Sequence, residues 1–357
     1  MRYPPPVLLR QLFDARSSTY TYLLADEATR EGVLIDTVFE QHTRDAALVR
    51  ELGIKLLYTL ETHVHADHVT GAWLCRQELG SKIAVSKRAG VSGADVLLDH
   101  GDEVRFGAHV LHVRATPGHT DGCTSFVVDD GVMVFTGDAL LIRGAGRTDF
   151  QQGDAAELYG SITRELFALP DTCLVYPGHD YSGRTVTTVG EEKAWNPRVG
   201  GAANERDFVG YMENLGLPHP KLMDIAVPAN LRCGEPEVTE LPSRPTWGPV
   251  TISYAGIPEI DPAWVAEHID EVTLLDVREP DEVSGPDGRI GGAVHVPLGA
   301  LRDRVAEVPK GRPVVTLCRS GRRSAQATAI LRAAGVTDCA NLVGGMLRWN
   351  VLGLPTG

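Results

Sequence analysis

The sequence predicts two α/β domains in tandem, on three observations. The chain has 357 residues, more than one typical domain needs and enough to bury two cores of unequal size. Short apolar runs alternate with turn signals and helix-period stretches, the alternation of an α/β protein whose loops leave the strand ends, where sites usually sit. A proline-rich stretch with little periodicity, 233–254, reads as an extended linker between an N-terminal part, 1–232, and a C-terminal part, 255–357.

In the N-terminal part the apolar runs at 21–25, 32–36, 56–59, 82–85, 109–114, 125–128 and 133–136 read as strands. Helix patterns cover 43–52, closed by Gly53, and 71–79, closed by Gly80; a third covers 154–169 with Leu158, Ile162 and Leu166 on one face. Thr43 and Asp154 are the expected N-caps. Only a short tail is expected between His179 and the linker. In the C-terminal part, 272–276 and 313–317 read as buried strands and 324–334 as a helix closed by Gly335, a small unit with parallel strands.

Composition narrows the function. With 43% hydrophobic and 23% charged residues the chain is globular, and a net charge of -13 argues against a nucleic-acid or anionic-membrane partner. Most of that acidity lies N-terminally, because 255–357 holds 11 Lys+Arg against 13 Asp+Glu. Small molecules are the expected clients. Six cysteines without framework spacing suggest a reducing compartment, and no apolar run approaches the ~20 residues of a membrane span. The N-terminus lacks a signal or transit pattern, so a cytoplasmic protein is expected.

The strongest chemical signal is Thr62-His63-Val64-His65-Ala66-Asp67-His68, between a predicted strand and a helix. Imidazole and carboxylate suit transition metals, and a loop lets several of them converge. Further on stand Pro117-Gly118-His119, Thr136-Gly137-Asp138 and Pro177-Gly178-His179-Asp180, each with a His or Asp just past a strand run. The adjacent glycines are expected to let the backbone approach an ion.

In that order, His63, His65, Asp67, His68, His119, Asp138 and His179 resemble the ligand set of the metallo-β-lactamase superfamily over about residues 7–230. The resemblance implies an αββα sandwich with the site at one edge of two facing sheets. Seven such residues could hold two ions, the arrangement of the glyoxalase II hydrolases. The segment Gly137-Asp138-Ala139-Leu140-Leu141-Ile142-Arg143-Gly144-Ala145-Gly146-Arg147, continuing to Gly153, looks instead like the persulfide dioxygenases related to the ethylmalonic encephalopathy protein, as does Gly178-His179-Asp180-Tyr181.

That likeness implies one Fe(II) per chain on His63, His119 and Asp138, with His65, Asp67, His68, His179 and Asp180 in supporting positions around it. It also implies glutathione persulfide and O2 as substrates and sulfite and glutathione as products. Arg147 is expected to pair with a glutathione carboxylate in bidentate fashion, and Tyr181 to hydrogen-bond the tripeptide or its sulfur.

The second signal is Cys318-Arg319-Ser320-Gly321-Arg322-Arg323-Ser324, between a strand and a helix. Backbone N–H groups at a helix N-terminus and three arginines favour a thiolate, hence a nucleophile. With Leu274-Leu275-Asp276-Val277-Arg278-Glu279 and Gly344-Gly345-Met346-Leu347-Arg348-Trp349, the loop resembles a single-domain rhodanese over about residues 255–355. Phosphatases of this architecture carry a longer loop. The resemblance implies a small parallel-sheet domain in which Cys318 carries sulfane sulfur and Arg319, Arg322 and Arg323 hold thiosulfate or sulfite. Asp276 and Arg278 are expected either to organise the loop through ionic hydrogen bonds or to form a plain structural pair. Two rivals stand beside the oxidising reading: a dinuclear glutathione thioester hydrolase with an accessory rhodanese, and a sulfur carrier that consumes no O2. Self-association as a homodimer is left open.

Overall fold

The computed structural model describes residues 6–218, 220–236 and 247–356, and the chain divides into two compact units, 1–42 with 52–237, and 43–51 with 238–357. The first unit holds two six-stranded sheets. One runs β1 (Val7–Asp14), β2 (Thr19–Asp26), β3 (Glu31–Ile35), β4 (Lys55–Leu60), β5 (Lys82–Ser86), β6 (Val96–Leu98) in spatial order. The other contains β7 (Glu103–Phe106), β8 (His109–Ala115), β9 (Thr124–Val128), β10 (Met133–Gly137), β11 (Leu174–Pro177) and β12 (Thr187–Thr188), again side by side in sequence order.

The pleat explains the layering. Phe126 and Val128 point into the core between the sheets with Tyr22, Leu24, Val33, Ile35, Leu60, Phe106 and Phe135, whereas Val127 lies in a separate cluster with Leu158, Ile162 and Leu166. The period-2 alternation of β9 thus separates the sandwich core from a helical outer layer. On the first sheet Ile83 and Val85 pack with Ala72 of the helix Ala72–Leu79. The expected αββα sandwich is the observed one.

The seven N-terminal strands expected from sequence all form, with ends within two residues. Asp154 caps its helix as expected, accepting from the Glu157 N–H at 2.8 Å. Thr43 does not cap: the helix His42–Glu51 begins one residue earlier. The expected 154–169 helix is α-helical only over Ala155–Ser161 and then widens to a π turn over Ile162–Leu166, with Phe167 N–H donating to the Ile162 carbonyl.

The short tail after His179 is corrected by three helices, Val189–Trp195, Glu205–Glu213 and Met223–Asn230. Capping explains two of them: Thr188 accepts from Glu191 N–H, and Asn204 and Asp207 form a reciprocal capping box.

The second unit is built on a six-stranded sheet ordered β13 (Thr251–Ile252), β14 (Pro258–Ile260), β18 (Cys339–Leu342), β17 (Val314–Leu317), β15 (Thr273–Asp276), β16 (Val294–His295), parallel except for the β13 edge. The helix Arg322–Ala333 follows β17 directly. The expected linker is ordered at both ends: Cys233 is buried beside Ala72 of the first unit, and 251–252 pair as a strand of the second. Its middle, 237–246, lies outside the described residues.

Candidate active sites

The first site forms where β4, β8, β10 and β11 end. His63, His119 and Asp138 are buried and each offers one donor atom, all three within 4.8 Å of one another; His119 Nε2 lies 3.8 Å from Asp138 Oδ2. The ring orientations follow from what the other nitrogens do. Thr62 Oγ1 donates its one proton to Asp36 Oδ2 at 2.8 Å, so it accepts from His63 Nδ1 at 2.9 Å. His119 Nδ1 donates to the Arg147 carbonyl at 2.6 Å. Both Nε2 lone pairs are left for a metal, the usual division of labour in a metal-binding histidine. Burial holds both imidazoles below their ordinary range, hence neutral.

His179 is different. Its Nδ1 is 2.7 Å from Asp138 Oδ1, and its Nε2 is 3.0 Å from Asp67 Oδ2 and 2.9 Å from Thr19 Oγ1. Burial opposes its charge, but Asp138 and Asp67 override burial and hold it well above the ordinary histidine range. It is an imidazolium donating from both nitrogens. In turn burial would raise the Asp138 carboxyl, and His179 keeps it far below the carboxylate range.

His65 turns away from the triad: its Nε2 faces Asp36 Oδ1 at 3.2 Å and Glu61 Oε2 at 3.4 Å. Burial works against its proton, Asp36 works for it, and the group is pushed up to about 10. His68 Nδ1 meets Asp67 at 2.9 Å, while His68 Nε2 and His65 Nδ1 are buried with no hydrogen-bond partner among the described residues. His65, Asp67 and His68 form a second group within 4.8 Å, and Asp36, Glu61 and His65 a third.

Several expectations change here. Asp180 does not reach the triad; its carboxylate ties its own turn, accepting from the Ser182 and Arg184 N–H groups and the Arg184 side chain. The bidentate fork of Arg147 is already taken, because Asp149 accepts from its Nε and Nη2 at 2.7 Å each, and the carbonyls of Pro218 and Leu217 take further donors. Tyr181 is 74% exposed and stacks on His179, with ring centroids 6.1 Å apart. Arg147 and Tyr181 both line a cleft of about 200 Å³ that reaches the triad. The glycines make room for ligand side chains: a Cβ on Gly178 would lie 2.8 Å from Asp138 Oδ1, and one on Gly146 2.9 Å from the His119 ring.

Three organising residues are not among the expected site residues. Asp36, at φ 53, gathers the Thr62 N–H, the Thr62 hydroxyl and His65. Thr62 relays to His63. Asn230, at the end of the helix Met223–Asn230, donates to the carbonyls of His65 and His68 at 2.9 and 2.8 Å and accepts from Thr70 N–H at 2.8 Å, pinning the whole loop. Only the unusual φ at Asp36 and a buried Asn mark them, and neither is visible in sequence.

The second site is the loop from Cys318. The thiol is 1% exposed and its Sγ accepts from Gly321 N–H at 3.2 Å and Ser324 Oγ at 3.4 Å. Burial pushes the thiol up; hydrogen bonds from the Ser324 hydroxyl and from the Ser324, Ser320 and Gly321 N–H groups outweigh it, and the net direction is down. The loop is clamped from beneath, since a Cβ on Gly345 would sit 2.2 Å from the Cys318 carbonyl.

Near it Asp276 and Arg278 form a buried bidentate pair, with Nη2 to Oδ2 at 2.6 Å. Arg278 Nη1 continues to the Glu282 carbonyl, and the Glu282 carboxylate grips Arg323 through two bonds of 2.6 Å. Arg319 pairs with Asp287 at 2.9 Å. Two of the three arginines expected to hold an anion are therefore engaged by acidic side chains.

Comparison with known proteins matches this division. Residues 15–179 match the metallo-beta-lactamase superfamily and residues 261–351 the rhodanese-like domain. Fold and site thus define a metal-binding enzyme of the metallo-β-lactamase type with a C-terminal rhodanese-like domain.

Persulfide dioxygenase ETHE1 of Mus musculus is 55% identical over 229 residues, 64% of this chain and 89% of that protein; the Homo sapiens relative is 54% identical over the same span. The crystal structure of ETHE1 from Myxococcus xanthus, 56% identical, superposes with a TM-score of 0.62 over 64% of this chain and all of that one. A metallo-beta-lactamase from Staphylococcus aureus, 21% identical with a TM-score of 0.61, shares the fold over 95% of this chain and 98% of its own. The chain belongs to the persulfide dioxygenase family. Membership implies a metal cofactor and persulfide substrates, and sets the protein in sulfur metabolism.

Proposed function

We propose that the chain oxidises glutathione persulfide with O2 to sulfite and glutathione at one Fe(II), and that Cys318 moves sulfane sulfur between thiosulfate and glutathione. The observation that carries the first half is the grouping of His63, His119 and Asp138 with both histidine Nε2 atoms left free, while His179 is spent between two carboxylates. The three buried donors, two neutral nitrogens and a carboxylate, suit iron(II). When bound, iron would supply open positions for the substrate sulfur and O2.

The chain's own residues do the rest. Thr62 and the Arg147 carbonyl keep the two rings aimed, and the His179 imidazolium fixes the Asp138 carboxylate. Tyr181 presents its hydroxyl at the cleft mouth to the tripeptide. A glutathione carboxylate reaches Arg147 by displacing Asp149 from its fork.

At the second site the Cys318 thiolate bonds to the outer sulfur of thiosulfate, the S–S bond breaks, and sulfite leaves with the electron pair. A glutathione thiolate then takes that sulfur, giving glutathione persulfide and restoring the thiolate. Trapping sulfite as thiosulfate runs the same steps in reverse. Carrying both sites on one chain raises their effective concentration for each other.

A dinuclear thioester hydrolase is favoured by one observation, the second grouping of His65, Asp67 and His68 with a His68 Nε2 that has no hydrogen-bond partner among the described residues. It predicts two metals per chain and lactoylglutathione cleavage without O2; a plain sulfur carrier predicts no O2 uptake. An oxygen electrode trace with glutathione persulfide, run beside metal analysis, tests all three. One iron per chain with O2 uptake is expected, and two zinc ions in the active form would sink the proposal.

We also propose the cytoplasm as its compartment, because six cysteines without framework spacing fit a reducing environment. The mammalian relatives are named mitochondrial, so cell fractionation is the check.

A further inference from the structure

A buried polar residue stands beside the sulfur loop without a part in the chemistry described so far. Asn341 lies in β18, whose residues are all buried, and is itself 2% exposed. A buried amide must have its hydrogen bonds accounted for. Its Nδ2 donates to Glu259 Oε1 at 3.1 Å, across the register where Glu259 faces Asn341. A carboxylate accepts only, which turns the amide so that Oδ1 points the other way. There Asn341 Oδ1 lies 2.6 Å from Ser324 Oγ.

Ser324 Oγ also lies 3.4 Å from Cys318 Sγ. A hydroxyl has one proton, so the two acceptors compete for it. The rest of Ser324 is fixed: its carbonyl accepts from Thr316 Oγ1 at 2.9 Å and from Thr328 Oγ1 at 3.0 Å. Rotation of the hydroxyl is the freedom that remains.

We infer that Asn341 is a positioning residue for Cys318, acting as the alternative acceptor for the Ser324 hydroxyl and so setting how much of that hydrogen bond the sulfur receives. Its place in the reaction rests on the sulfur-transfer reading above. In the resting thiolate the charge sits on Sγ and the hydroxyl turns to it. Once Cys318 holds a sulfane sulfur, the charge moves to the outer sulfur and the hydroxyl returns to Asn341. When an acceptor thiolate bonds to the outer sulfur and Sγ leaves with the electron pair, the hydroxyl swings back. The backbone N–H donors, Gly321 at 3.2 Å among them, do not move.

The other charged groups around the loop are already paired: Arg323 with Glu282, Arg319 with Asp287, and Arg278 with Asp276 on β15. Arg322 is exposed, and Glu259 stands behind Asn341.

The test is the pH profile of Cys318 alkylation by iodoacetamide in the full chain, read on the Cys318 peptide by mass spectrometry. Ser324→Ala should raise the midpoint, and Asn341→Leu, which removes the competing acceptor, should lower it. Each should change the alkylation rate below the midpoint by roughly twofold to tenfold, the worth of one hydrogen bond. General damage to the loop would move both variants the same way. The double variant should match Ser324→Ala alone, and a shift from Asn341→Leu that persists without the hydroxyl overturns the inference.

If Asn341→Leu does not fold, Glu259→Met releases the amide from its anchor. It should lower the midpoint when Ser324 is present; the same shift in the Ser324→Ala background would be plain charge removal and would overturn the inference. Alkylation needs no sulfur substrate. Shifts as expected in a protein that never turns over thiosulfate would therefore fail the transfer reading and leave the positioning role standing.

Discussion

The metal cradle and the sulfur loop prepare a reactive atom by opposite means. The cradle collects side chains from the ends of four strands and sets each through a partner elsewhere: Asp36 through Thr62, the Arg147 carbonyl, and Asp67 through His179. The loop draws the donors to its one sulfur from residues that follow it directly, and Asn341 acts only through one of them, the Ser324 hydroxyl. Damage should therefore travel far in the first and stay local in the second.

The largest effect should come from removing a cradle donor. His119→Ala should cut metal affinity by more than about 100-fold, beyond what loss of a supporting partner costs. O2 uptake should vanish with the metal, while thiosulfate-dependent sulfur transfer at Cys318 continues. Metal analysis and an oxygen electrode read the first part, and sulfite release the second. Cys318→Ser is the mirror case: uptake on supplied glutathione persulfide persists and thiosulfate-dependent uptake is lost. If either variant silences both activities, the two sites are not separable.

Next comes damage from a distance. Asn230→Leu touches no donor, yet it leaves the Thr70 N–H and the His65 and His68 carbonyls unpaired beneath the motif loop. Stranding buried groups should cost about 2–4 kcal/mol of stability in urea titrations. Metal affinity should fall as well. Unchanged affinity would mean that the cradle is as local as the loop. Thr62→Val, which cuts the His63 relay, should lower metal affinity by roughly tenfold to a hundredfold with less loss of stability.

The same contrast explains what could be read from sequence. Strands such as β4 and β10 announce themselves by apolar runs between turn signals, and the loop from Cys318 to Ser324 is legible because its chemistry is contiguous. The ligand types were legible too, from His63 to His179. Their partnerships were not, because which carboxylate faces which imidazole is fixed by packing between residues such as Thr19 and His179, 160 positions apart. Arg147 shows the limit well: its sequence context suits a carboxylate, and only the fold reveals that Asp149 already fills the fork. The helix Met223–Asn230 was hidden for a different reason. It carries Pro228 in its interior and ends next to the proline-rich stretch, so its pattern reads as tail.

The smallest expected effect tests how local the loop is. Arg323 holds the Glu282 carboxyl at about 2, below its ordinary 4.5. A carboxyl depressed on folding stabilises the protein above its unfolded pKa, and that contribution is lost as pH falls through the folded one. Glu282→Gln should therefore be less stable than the parent at pH 7 by at most about 1 kcal/mol, since solvent screens a partly exposed pair. The gap should close between pH 4.5 and about 2. Urea midpoints of the two proteins at pH 7 and at pH 3 measure it. A gap that stayed constant with pH would assign the loss to packing around Glu282, not to its charge. In the cradle the corresponding carboxylates, Asp138 and Asp67, are paired with a buried imidazolium and held further down, so acid should release that site only below the pH at which this clamp is lost.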